Sequence, residues 1–276
     1  MTAPLSIRKW PLSLTIGLTI LLAEIAIALL AGVLHPGDPQ ELVGQPYLAP
    51  GADAEFPLGT DLLGRDIAAG LLYGTRVSII VGFAATAIAL IIGVLAGLAS
   101  GYFGGWIDHA LMRLTELFQA IPHFLFAIIL VAILGATVEH TIFAIGVTSW
   151  PMVARLVRAE TLTLRELDFV KASTAMGAGH LRVLATHILP NALPPVVTIL
   201  SVLSAMAILT EVGLAFLGLG DNNRISWGSM IGAGRESLRE APYISLIPGA
   251  AVVITVLSLS LLGDGIAKVI NPRAAR

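Results

Sequence analysis

Four long stretches of the 276-residue chain contain no Lys, Arg, Asp or Glu: residues 77–107, 117–138, 183–210 and 241–263. Each can cross a bilayer, which takes roughly 20 mostly apolar residues wound as helix, because lipid offers no partner to a free backbone N–H or C=O. Two further stretches belong with them. Residues 11–33 are interrupted only by Glu24, and 140–158 is bounded at its inner end by Arg155 and Arg158. The expectation is an all-α integral membrane protein with six transmembrane helices. Only 12% of residues are charged, about half the share of a typical soluble domain. A net charge of −2 gives no footprint for nucleic acid, and the absence of Cys excludes disulfides, thiolate metal sites and Cys nucleophiles. Arg8 and Lys9 precede the first apolar run as they would in a signal peptide, but a run of about 23 residues exceeds the 7–15 of a signal core. Residues 1–33 are therefore expected to stay as a first helix.

Lys and Arg accumulate on the cytoplasmic side of membrane proteins, so their distribution orients the chain. With a cytoplasmic N-terminus, eleven lie inside (Arg8, Lys9, Arg113, Arg155, Arg158, Arg165, Lys171, Arg182, Lys268, Arg273, Arg276) and five outside (Arg65, Arg76, Arg224, Arg235, Arg239). This split predicts cytoplasmic termini, an outer loop at 34–75 and a cytoplasmic loop at 159–190. The outer loop separates the first helix from a five-helix core at 76–267, and 268–276 forms a cytoplasmic tail. Turn formers cluster outside, as in Pro36-Gly37-Asp38-Pro39 and Gly220-Asp221-Asn222-Asn223.

Within the spans, Ala85, Ala89, Gly93, Gly97 and Gly101 recur every fourth residue, giving one helix face that is nearly bare backbone and suited to close packing. Pro122 and Pro151 can bend the third and fourth spans. Glu24, Glu211 and Asp264 are acids at or near membrane depth, where an ionisable group faces protein or water. Asp264, at a helix end, reads as structural; Glu24 and Glu211 are open to a structural role, a proton relay or a substrate contact. Neither has a basic residue at i±3 or i±4, so a partner must come from another helix. Gly97-Leu98-Ala99-Ser100-Gly101 superficially resembles an intramembrane serine-protease turn, but no His lies near it. A P-loop is excluded, since the only lysines, Lys9, Lys171 and Lys268, are followed by Trp10, Ala172 and Val269 rather than Ser or Thr.

A polar island interrupts the apolar spans at Asp168-Phe169-Val170-Lys171-Ala172-Ser173-Thr174-Ala175-Met176-Gly177, followed by a second short helix and His187-Ile188-Leu189-Pro190. Its small residues leave room for another protein to pack closely, and Gly177 permits a sharp reversal. The spacing resembles the cytoplasmic docking loop of ABC-importer permeases, with Lys171 where Glu is usual and Ser173 in place of a second Ala. A second motif narrows the likeness: Phe56-Pro57-Leu58-Gly59-Thr60-Asp61-Leu62-Leu63-Gly64-Arg65-Asp66, then Tyr73-Gly74-Thr75-Arg76-Val77-Ser78. Together with Phe216-Leu217-Gly218-Leu219-Gly220 and Trp227-Gly228, it resembles the dipeptide/oligopeptide/nickel permease family, second-subunit type, over residues 55–273. Loop 221–226 departs from that pattern in lacking prolines before Trp-Gly.

The resemblance implies a type I ABC-importer permease fold in the inner membrane of a bacterium. It implies a homologous permease subunit completing a heterodimeric pore, two cytoplasmic ATPases docking on 168–177, and an extracytoplasmic binding protein delivering peptide, nickel or related small solutes. ATP and Mg²⁺ would be used by the ATPases, and this chain would bind no cofactor. Gly59, Thr60, Asp61, Gly64, Arg65, Asp66 and Arg76 form the outer-loop signature. Its physical reading is a clasp, with tight turns at Gly59, Gly64 and Gly74 and mutual pairing of Asp61, Arg65 and Asp66. Glu211 stands where the family usually has an acid. The reading from another class is a secondary transporter coupled through Glu24 or Glu211, against which the chain shows no inverted repeat.

Overall fold

The computed structural model describes residues 10–270. Arg8, Lys9, Arg273 and Arg276, which enter the orientation count, lie outside the described residues, as does most of the 268–276 tail. The helices are α1 (Leu12–Leu34), α2 (Ile67–Phe103), α3 (Gly105–Ala120), α4 (His123–Leu134), α5 (Val138–Arg165), α6 (Asp168–Ala175), α7 (His180–Val183), α8 (Leu189–Leu214), α9 (Trp227–Gly234) and α10 (Tyr243–Ile270). π-Helical turns at Leu184–Ile188 and Ala215–Leu219 flank α8 in a run over His180–Leu219 that is kinked near its end, where Gly218 takes φ +83°. Among the described residues five helical runs are long and apolar enough to cross a bilayer, and α3 with α4, bent by 85° at their junction, makes a sixth where the pair is counted as one broken span.

Two boundaries differ from the sequence expectation. The second span begins at Ile67 rather than near 77, because the Asp66 carboxylate caps α2 by accepting the Ala68 N–H at 2.8 Å. The helix thus starts within the segment 34–75, and α2 is longer than a bilayer requires, since 37 residues at about 1.5 Å each exceed a core of about 30 Å. The third span, expected as one run over 117–138, is broken. Ile121 precedes Pro122 and takes extended angles (φ −94°, ψ 128°), the conformation that the proline ring imposes on its predecessor. Pro151, by contrast, stays inside α5.

The small-residue face of α2 meets α5. A Cβ added at Gly93 would come 2.8 Å from the Trp150 carbonyl oxygen. One at Gly97 would come 2.6 Å from that of Ala154, and one at Gly101 2.9 Å from that of Arg158. Such proximity lets the two backbones gain dispersion contacts that no larger residue permits. The pairing is internal to the chain. Ser100, on the same stretch, hydrogen-bonds Asp108 and is fully buried, so it is no exposed nucleophile. Asp108 in turn receives a two-pronged contact from Arg158, with Nε and Nη2 each 2.6 Å from a carboxylate oxygen, and this ties the start of α3 to α5. The α1 helix docks on α10 in a similar way, with Gly17 against the Ser258 carbonyl and Gly265 against Leu14.

Candidate functional site

The polar island is built as a short helix on a buried footing. Leu167 takes extended angles (φ −72°, ψ 144°) between α5 and α6, and Asp168 occupies the first turn, where its charge favours the positive helix end. At the other end, Gly177 has φ +87°, the Gly177 N–H donates to the Thr174 carbonyl at 3.0 Å, and the Ala178 N–H donates to that of Ser173 at 3.1 Å. This is a Schellman termination, which explains the glycine: its left-handed backbone allows the chain to reverse.

The reversal sorts the expected docking residues into two faces. Val170 is 2% exposed and joins a buried cluster with Val157, Val183 and Ile188, while Ser173 is also buried and shares a 3.2 Å hydrogen bond with His187. These two anchor α6 to its own chain, whereas the rest of the expected docking segment is open. Asp168, Phe169, Lys171, Ala172, Ala175, Met176 and Gly177 remain exposed. Met176 is 83% exposed and Leu181, beyond the turn, 80%. Phe169, at 46%, is a third exposed apolar side chain of this loop. Lys171 does not present an uncompensated charge, because Glu166 lies 3.0 Å from its Nζ. The Lys171 hydrogen bond, followed by its charge, holds the Glu166 carboxyl below the usual carboxylate range.

The outer-loop signature is a backbone clasp. Thr60, fully buried, donates its hydroxyl to the Gln45 carbonyl at 2.5 Å and accepts the Leu48 N–H at 3.0 Å. Gly59 (φ +79°) and Gly64 (φ +83°) lie against the carbonyls of Leu48 and Gly44, where no Cβ fits. Gly74 makes no turn: it is inside α2, where a Cβ would meet the Trp227 ring at 3.0 Å. The expected pairing among Asp61, Arg65 and Asp66 is also absent. Asp61 instead caps its own turn through the N–H groups of Leu63 and Arg65, and Asp66 pairs with His35 at 2.9 Å. Both carboxylates accept from backbone N–H groups two to four residues ahead of them. Arg76 donates to the Ala28 carbonyl at 3.0 Å and stacks over Tyr73, joining α2 to α1.

Both deep acids find partners on other helices, and both partners are hydroxyls. The Thr255 hydroxyl of α10 lies 2.8 Å from Glu24 and 2.9 Å from the Ala251 carbonyl of its own helix, and Ser78 of α2 donates to Glu211 at 3.3 Å. Beside Glu211 is a cavity of about 10 Å³, shared with Thr141, Arg224 and Ser226 and about large enough for one water. Asp264 pairs with Lys268 one turn on, at 2.5 Å. No cluster of three or more potential His, Cys, Asp or Glu metal ligands occurs among the described residues. The Ser100–Asp108–Arg158 tie was missed from sequence, although an acid at 108 and a base at 158 flanking two helices joined by a glycine face are its signal.

Residues 89–276 match the family described as "Binding-protein-dependent transport system inner membrane component". The glutathione transport system permease protein GsiD of Pectobacterium atrosepticum is 37% identical, with 93% of this chain and 85% of that protein aligned. The dipeptide transport system permease protein DppC of Alkalihalophilus pseudofirmus is 38% identical over 94% of this chain and 85% of its own length. Among solved structures, an inward-facing MetNI methionine ABC transporter chain superposes with TM-score 0.60 at 20% identity, covering 73% of this chain and 96% of that one. The superposition supports the helical fold of an importer permease.

Proposed function

The chain belongs to the family of binding-protein-dependent transport system inner membrane components, and from that membership we propose that it forms half of a peptide-carrying pore. A homologous permease subunit supplies the other half, two ATPases drive the cycle, and an extracytoplasmic binding protein delivers the cargo. The observation that carries this reading is α6: Met176, Phe169 and Ala172 are exposed on a helix whose Val170 and Ser173 are locked into the bundle. A partner pressing on that face moves α5 and α8 with it, as a rigid-body two-state change requires. Peptide is the cargo class because relatives named for dipeptide and glutathione transport align over most of this chain.

A self-contained secondary transporter fares worse. Glu24 and Glu211 are each held by a hydroxyl on a different neighbouring helix, and the cavity at Glu211 is about one water in size. Alone in lipid vesicles the chain is expected to hydrolyse no ATP. With both ATPases, the second permease and the binding protein, vesicles should accumulate a tripeptide only when ATP is present on the ATPase side. Accumulation by the chain alone under a proton gradient would sink the proposal.

The reading places the chain in the cytoplasmic membrane of a bacterium with both termini inside, on the eleven-to-five division of Lys and Arg. A phosphatase or fluorescent reporter inserted within 160–166 should report the cytoplasm, and one beside Asp53 the exterior. An external signal at 160–166 would exclude docking by cytoplasmic ATPases.

A further inference from the structure

The elbow between α3 and α4 borders a half-open cavity of about 220 Å³ that none of the preceding roles uses. Its walls come from α5 at Ser149 and Met152 and from α8 at Leu203 and Met206, close to the middle of both apolar runs. No Asp, Glu, Lys or Arg lines it, yet Gln119, His123, Thr148 and Ser149 do. Such a concentration of neutral polar groups in the interior of a bilayer is costly unless the groups meet protein, water or solute.

Hydrogen bonding defines what the cavity offers. The Ser149 hydroxyl lies 2.7 Å from the Ile145 carbonyl, which can only accept, so its proton is committed there. The His123 Nε2, 2.9 Å from the same hydroxyl oxygen, must then be the donor, and this tautomer leaves the Nδ1 lone pair free to accept. Both Thr148 contacts go to carbonyls of its own helix, at Ala144 and Ile145. Gln119, the only glutamine outside the 34–75 segment, is exposed and makes no hydrogen bond within the described residues. Its amide supplies a donor and an acceptor. Phe118, Met152 and Met206 complete the wall, two of them flexible thioethers that adapt to varied shapes.

The position also fits a pore. The helices α3 and α4 pack against α2, α5 and the turn after α8, and their far side is uncovered, with Leu117 68% and Leu125 51% exposed. Gln119 lies at the rim of that uncovered edge, where the second permease subunit of the proposed assembly would close the path.

We propose that the elbow cavity is a transit subsite for peptide-class solutes, taking one residue at a time: Gln119 and His123 engage its neutral amide groups, and Phe118, Met152 and Met206 receive its side chain. This rests on the pore reading given above. The volume is below the roughly 300–1,000 Å³ of pockets that hold whole drug-sized ligands, which suits a single residue. The lack of fixed charge suits passage, because a path must bind weakly enough to release. The subsite would therefore discriminate by side-chain size and by hydrogen bonding, separately from whatever the binding protein selects.

The test uses the full complex in proteoliposomes, with initial uptake of trialanine and of Ala-Phe-Ala measured side by side. Met206→Trp should narrow the cavity and lower Ala-Phe-Ala uptake at least tenfold more than trialanine uptake. His123→Leu should lower uptake of both about tenfold, and His123→Asn, which can still hydrogen-bond, should recover most of it. A parent-like ratio in Met206→Trp, together with His123→Leu uptake within twofold of parent, would overturn the subsite while leaving the pore reading intact. If the parent complex accumulates neither peptide, the pore reading and the subsite fall together. If His123→Leu instead abolishes uptake of Ni²⁺ by the same vesicles and spares both peptides, the amide assignment is wrong.

Discussion

Gly97→Leu is expected to prevent the bundle from forming, as seen in detergent by loss of the monodisperse peak and of a cooperative thermal transition. The Cβ of any residue at 97 would lie 2.6 Å from the Ala154 carbonyl oxygen, 2.7 Å from Val157 Cβ and 3.0 Å from the Arg158 backbone N. These atoms belong to the backbone or are fixed to it, so no rotamer change relieves the overlap. Ordinary overpacking costs about 1–3 kcal/mol when side chains can shift. Here α2 and α5 must separate, which also pulls at the buried cluster holding Leu98, Val153 and Val157 and at the Asp108–Arg158 pair. Gly249→Leu is the control. Gly249 lies in α10 with nothing within 4 Å of its Cβ position, and the same added volume there should leave the melting temperature within a few degrees of the parent. Equal melting of the two variants would mean that the α2–α5 contact does not hold the fold together.

The four-residue repeat from Ala85 to Gly101 was readable in advance because packing between backbones leaves only small residues as options, and the sequence records that restriction directly. The span count was readable for a similar reason, since bilayer thickness sets a minimum apolar length. What escaped the sequence was geometry that depends on competition between partners. Asp61, Arg65 and Asp66 have complementary charges, but Asp61 finds the Leu63 N–H at 2.8 Å within its own turn, and local backbone donors win over a long guanidinium that must be ordered to pair. The length of α2 was hidden because Arg76 bounds the charge-free run 77–107, although the helix continues through it back to its cap at Asp66. Pro122 and Pro151 look alike as letters. Only the first breaks its helix, since nothing in Pro151 itself says that the rest of α5 will hold it straight. In the docking segment, small and apolar residues could be picked out, but which of them face inward depended on Val183 and Ile188 arriving from beyond the turn.

Ala172→Arg should leave the chain able to fold and to pair with its fellow permease, while abolishing productive contact with the ATPases. Ala172 is exposed, so the new side chain costs its own fold little. In the proposed interface the same side chain would be an unpaired charge against a surface formed around a methyl group, a penalty of about 2–3 kcal/mol. That corresponds to a roughly 30- to 150-fold weaker association. Gly177→Val acts through the backbone instead. With φ +87° and nothing within 4 Å of a Cβ, the substitution meets open space but an unfavourable conformation, worth about 1–2 kcal/mol, and the Schellman turn that sets the angle of α6 should loosen. Its effect should be smaller, about tenfold, and should appear more in peptide-stimulated ATP hydrolysis than in copurification of the ATPases. The two variants thus separate contact from transmission: the first loses the partner, and the second keeps it but transmits its movement poorly. Glu211→Gln provides the contrast, because Ser78 can still hydrogen-bond the amide and the residue is remote from α6 in the chain; copurification should match the parent. If Ala172→Arg and Gly177→Val both assemble and transport as the parent does, α6 is a passive linker and the proposed coupling is wrong.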